Sequence, residues 1–192
     1  FADCSSLSSI CIPTSVKGLG KECFKYCRSL SVVTFESHSQ LERIEESAFA
    51  SCFSLGSIGI PVGVEGLGKE CFLYCGSLSV VTFASGSQLA RIEESAFAHC
   101  SSLNSIYIPA SVEELGEKCF LSCHSLDHIT FESGSQLKRV GTKAFYESRV
   151  KVSSIPENLR AICNPGFQSQ ETLATFLGVR FTHGCARRMN PH

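Results

Sequence analysis

The chain has 192 residues, 43% of them hydrophobic, and a formal net charge of −1 from 17 Lys and Arg against 18 Asp and Glu. That composition belongs to a folded protein of one or two domains, and because neither sign gathers into a block it offers no electrostatic footing for a nucleic acid. No apolar run approaches the ~18 residues that cross a bilayer, so no membrane insertion is expected.

The opening residues, Phe1-Ala2-Asp3-Cys4, lack the charged-then-apolar layout of a signal peptide. They start inside a repeated phrase without an initiator Met, so the chain reads as a piece of something longer. The phrase FADCSSLSSICIP at 1–13 returns as FASCFSLGSIGIP at 49–61 and FAHCSSLNSIYIP at 97–109. Phenylalanine marks the period: Phe1, Phe24, Phe49, Phe72, Phe97, Phe120 and Phe145 alternate spacings of 23 and 25 residues, a 48-residue double unit.

In each copy the Phe is followed by Cys (4, 27, 52, 75, 100, 123), then Leu (7, 30, 55, 78, 103, 126), then Ile or Val (10, 33, 58, 81, 106, 129). The next column alternates Ile12, Phe35, Ile60, Phe83, Ile108 and Phe131. The spacing L-x-x-[IV]-x-[IF] predicts a short strand whose alternate residues point into a core. Pro13, Pro61 and Pro109 end the strands of the short units, since proline has no amide to donate to a ladder. The stretches KECFKYC and EESAFASC are too short for independent helices and are predicted as single helical or 3₁₀ turns on the far side.

Past Phe145 the pattern thins to Ile155-Pro156, Leu159, Ile162 and Phe167, a degenerate seventh copy. The predicted division is a solenoid over 1–167 and a C-terminal cap or tail over 168–192, with Leu173, Phe176, Leu177, Val179 and Phe181 as the buried side of the cap. One coil cannot bury its own apolar side, whereas stacked coils bury a continuous one. The fold class read here is therefore a right-handed α/β solenoid superhelix of short parallel strands with a concave sheet.

The run F-x-x-C-x-S-L-x-x-I-x-I-P-x-x-V-x-x-L-G-x-x-C-F resembles the BspA-like leucine-rich repeat and recurs in register from residue 1 to about 167. The resemblance implies a non-enzymatic module that binds a protein partner, such as an extracellular matrix or cell-surface protein, in a setting of cell adhesion. It also implies a cell-surface or secreted location. The free-looking cysteines leave a cytoplasmic interaction scaffold open as an alternative, and a structural spacer is the third reading.

Twelve cysteines invite a metal or disulfide reading, and CFKYC even has zinc-like spacing. The columns oppose it: Cys23, Cys71 and Cys119 alternate with Ala48, Ala96 and Ala144, so the slot asks for a small apolar group. Neither metal ligands nor a cofactor site is assigned. Cys11 is expected to point outward as a reactive thiol, while a Cys163–Cys185 bridge stays open.

Residues between the core columns should face outward on the concave sheet, and Val32, Thr34, Val80, Thr82, Ser105, Tyr107, His128 and Thr130 are the predicted partner-binding residues. Tyr107 and His128 lead, because exposed tyrosine is favoured at binding hot spots. No catalytic residues are assigned, since the histidines fall in different repeat contexts and no phosphate loop, carboxylate pair or metal-binding helix motif occurs. The open first coil at Phe1 predicts end-to-end self-association of the fragment.

Overall fold

A computed structural model describes residues 1–151, 153 and 155–163. Each coil contributes one four-residue strand and one two-residue strand. The long strands are β1 (Ser9–Ile12), β3 (Val32–Phe35), β5 (Ser57–Ile60), β7 (Val80–Phe83), β9 (Ser105–Ile108) and β11 (His128–Phe131). The short ones are β2 (Gly18–Leu19), β4 (Arg43–Ile44), β6 (Gly66–Leu67), β8 (Arg91–Ile92), β10 (Glu114–Leu115) and β12 (Arg139–Val140). Every pairing is parallel, and the short strands make one uninterrupted sheet from β2 to β12. A helix, α1 (Glu157–Cys163), packs against β12 through buried Leu159 and Cys163.

The long strands do not form one sheet. They divide into β1-β3-β5-β7 and β9-β11, and even within the first panel β3 and β5 share only the Val32↔Ser57 pair. Proline explains the division. Past each well-formed pair the next amide bonds back to the preceding strand, as Glu36 N–H does to the Ile12 carbonyl (3.0 Å), Ala84 to Ile60 (3.1 Å) and Glu132 to Ile108 (3.0 Å). At the intervening junctions that residue is Pro61, opposite β3, or Pro109, opposite β7, and neither has a proton to give. The 48-residue unit is thus a pair of coils with a seam at each end.

The core is a column structure. Phe49, Phe72, Phe97 and Phe120 are fully buried and their rings stack with centroids 5.2–5.4 Å apart, close to parallel. Leu30, Leu55, Leu78, Leu103 and Leu126 form a second buried column.

The far side differs from the predicted helical or 3₁₀ turns. Two residues per coil there adopt left-handed backbone, for example Glu22 and Tyr26 (φ 58° and 62°) and Ser95 and His99 (φ 55° and 61°). Left-handed residues interrupt any helical run of bonds. Their amides turn outward to the next coil instead: Tyr26 N–H reaches the Ala50 carbonyl at 2.9 Å and His99 N–H reaches Leu121 at 2.8 Å. The turns therefore form a third hydrogen-bonded wall.

From coil two onward the cysteine column is buried and each thiol has an acceptor, whereas Cys4 in the first coil is half-buried. Cys27, Cys52, Cys75, Cys100 and Cys123 donate to the carbonyls of Phe1, Phe24, Phe49, Phe72 and Phe97 at 3.1–3.3 Å. The slot selects cysteine because it wants a small apolar side chain with one weak donor. Burial pushes the Cys52 and Cys123 thiols up to about 12. Since the thiolate is the reactive form, alkylation of the native protein at neutral pH should label exposed Cys11 at once and leave Cys75 and Cys100 untouched until denaturant is added. Peptide mapping of the time course checks this, and early labelling of the buried column would contradict it. Cys185, and with it the open question of a Cys163–Cys185 bridge, and the cap at 168–192 lie outside the described residues.

Candidate functional site

All eight residues expected on the partner-binding face are exposed, and the register brings them into two rows. Gly59 pairs with Thr82, and Tyr107 with Thr130, in one row; Ser57 pairs with Val80, and Ser105 with His128, in the other. Val32 and Val80 are each 49% exposed and Tyr107 is 45% exposed, large apolar area for a free sheet surface. The pairing places Tyr107 opposite Thr130, so it lies diagonal to His128. His128 hydrogen-bonds Asp127 through Nδ1. Partial desolvation and the neighbouring Glu132 carboxylate hold the Tyr107 hydroxyl above its ordinary range. The seam between β7 and β9 separates this group from the Val32, Thr34, Val80 and Thr82 group, so the face is two panels.

Sequence reasoning missed a cleft of about 610 Å³ on the first panel, between β3, β5 and β7. Its floor includes Phe35, Ile60 and Phe83, and its rim includes His38, Val62 and Ala84. The cleft forms where the coils depart from their own pattern. Gly59 stands where coil one has Cys11 and coil five has Tyr107, and Ala84 stands where β3 is followed by Glu36 and β11 by Glu132. That signal was readable in SIGIP and TFA, but only as a departure among copies.

The outer surface carries ion pairs such as Lys21–Glu46 (3.0 Å) and Lys69–Glu94 (3.1 Å). They are solvent-exposed, so each adds little to stability. Among the described residues no group of three or more His, Cys, Asp and Glu converges as a metal site, and no helix is long and apolar enough to cross a membrane.

Comparison with known proteins agrees with this architecture. The family profile "BspA type Leucine rich repeat region" matches in six copies over residues 1–89 and 42–174. No curated protein matches. The chain is similar to the pneumococcal vaccine antigen PcpA, with 36% identity over 67% of this chain and 31% of that one, and a TM-score of 0.63. A leucine-rich repeat protein from Bacteroides ovatus shows 25% identity over 79% of this chain and 44% of that one, with a TM-score of 0.62. A third structure, from Eubacterium ventriosum, is 23% identical over 78% of this chain and 45% of that one, with a TM-score of 0.54, and shares the fold. The chain thus spans less than half of the length of each of these proteins.

Proposed function

This chain belongs to the BspA type leucine-rich repeat family, and from that premise we propose that it is a non-enzymatic protein-binding module of a surface or secreted protein, serving adhesion to a matrix or cell-surface partner. The observation that carries the reading is the exposed long-strand face, where Tyr107, Thr130, Ser105 and His128 are held by a parallel register on a rigid stack. Extended repeat surfaces of this kind are suited to macromolecular partners. The likeness to PcpA, a pneumococcal vaccine antigen, supports a surface setting.

The test is binding to a panel of matrix and cell-surface proteins, with a Tyr107→Asp, His128→Asp double variant run beside the wild type. Both side chains are exposed, so the variant should keep its melting temperature within a degree or two. Loss of binding by at least tenfold is the expected result, on the scale of hot-spot truncations. Equal binding by both proteins would remove this face from the reading.

One observation favours a second reading. No two of the eleven cysteines among the described residues are bridged to each other, which suits a reducing compartment and an intracellular scaffold. Their burial and their carbonyl acceptors give those of the column a packing role that needs no particular compartment.

A further inference from the structure

The coils provide an internal comparison for the cleft on the first panel. In coil one, the Thr14 N–H and hydroxyl donate to Glu36 Oε2 at 2.9 and 3.1 Å. In coil five, the Ala110 N–H donates to Glu132 Oε2 at 2.8 Å. The same place in coil three is Val62, and the residue that should supply the carboxylate is Ala84. The backbone around it is unchanged: Gln88 N–H donates to the Val62 carbonyl at 3.0 Å, as Gln40 does to Thr14 (3.0 Å) and Gln136 to Ala110 (2.8 Å). What differs is the missing acceptor. The Val62 amide has no protein acceptor among the described residues, and Val62 lines the cleft.

Two further features surround that donor. Gly59 leaves the space that the Tyr107 side chain takes on the second panel, and the floor beneath it is aromatic and aliphatic. His38 stands on the rim at a position that is glycine in the other long coils, Gly86 and Gly134. Its imidazole lines the same cleft as Val62.

We propose that this cleft takes an acidic side chain, glutamate or aspartate, from a partner polypeptide, its carboxylate standing in for the absent glutamate on the Val62 N–H and its apolar neighbour lying on Phe35 and Phe83. A carboxylate accepting from a backbone amide makes a charge-assisted bond. The apolar floor distinguishes a peptide from a small anion, which would leave that floor wet. The inference deepens the protein-binding reading by naming the partner's chemistry, and it concerns the opposite panel from Tyr107 and His128.

The probe is the capped peptide acetyl-Thr-Phe-Glu-Ser-amide, which copies the chain's own capping segment at 34–37, titrated into the ¹⁵N-labelled full chain and read at the Val62 amide. The expected result is a saturable downfield shift of that amide, weaker by roughly ten- to hundredfold with the Gln counterpart. Ala84→Glu should shift the same amide without peptide and abolish the titration, because it restores the internal cap. Gly59→Tyr, which fills the cleft as Tyr107 does its own panel, is a second block should Ala84→Glu fold poorly.

An unmoved Val62 amide, equal response to both peptides, or full binding by the folded blocking variants would each overturn the proposal. These outcomes separate from failure of the wider reading. That failure would show as no captured protein while Val62 still answers the peptide, whereas an inert Val62 with capture retained through Tyr107 and His128 would sink the cleft alone.

Discussion

Phe72→Ala is expected to lower stability by about 3–5 kcal/mol, measured as a fall in the urea midpoint with an unchanged slope. Phe72 is fully buried, and its ring stacks on Phe49 at 5.4 Å and on Phe97 at 5.2 Å. Truncation removes a ring that serves two coil interfaces, and the backbone around it cannot collapse. Cys71, Phe72 and Tyr74 on the same turn are bonded to neighbouring coils through Phe49 N–H to Cys71 O (2.8 Å), Phe72 N–H to Ala96 O (2.8 Å) and Tyr74 N–H to Ala98 O (3.0 Å). Phe1→Ala is the control, because Phe1 is 71% exposed and stacks on one side only. A Phe72→Ala loss no larger than that of Phe1→Ala would contradict a core built from one continuous ring column.

Gly116→Ala is the second large effect, a loss of about 3 kcal/mol by steric overpacking. A Cβ there would stand 2.5 Å from the Glu93 carbonyl carbon and 2.5 Å from the Glu94 nitrogen, both of them backbone atoms. Neither coil can retreat freely, since Gly116 N–H is bonded to the Ile92 carbonyl at 2.7 Å and Glu93 N–H to Leu67 at 2.9 Å. The glycine is the counterpart of Glu45 and Glu93 in coils two and four, while coil six has Gly141. Glu45 and Glu93 reach back to cap the amides of Lys21 (3.2 Å) and Lys69 (3.1 Å), and their backbones then press against Gly68 and Gly116. Gly56→Ala, where a Cβ meets nothing within 4 Å, should change stability by less than about 0.5 kcal/mol in the same assay. If the two substitutions behaved alike, coil-to-coil contact would not be the reason for glycine at 116.

The columns that repeat with a fixed period are legible in the residues alone: Phe at the ring stack, Cys at the carbonyl-capped slot, Leu and Ile in the strand. Each is enforced at every coil, so the pattern is its own evidence. The second sheet is not legible, because strands such as Gly18–Leu19 and Arg43–Ile44 are two residues long and too short for an alternation to register. The left-handed turns are hidden for a different reason. Tyr26, Ser51, Tyr74, His99 and Ser122 share a backbone conformation without sharing a residue type, since the coil-to-coil bonds impose it. For the candidate site, the exposed residues follow from strand alternation, while the division of the face needs Pro61 and Pro109 to be read against the neighbouring strand. The cleft demands attention to what Gly59 and Ala84 lack.

The seams also bear on mechanics. On the short-strand side the stack is tied through all six coils by an unbroken ladder, so that side behaves as an inextensible spine. On the long-strand side, the junction between β7 and β9 has no ladder to stretch and the one between β3 and β5 has a single pair. Bending that opens the long-strand side is therefore concentrated at these two joints, while each pair of coils moves as a stiff block. The cleft at Gly59 straddles one of the joints, so an occupant that bridged β3 and β5 would resist bending there.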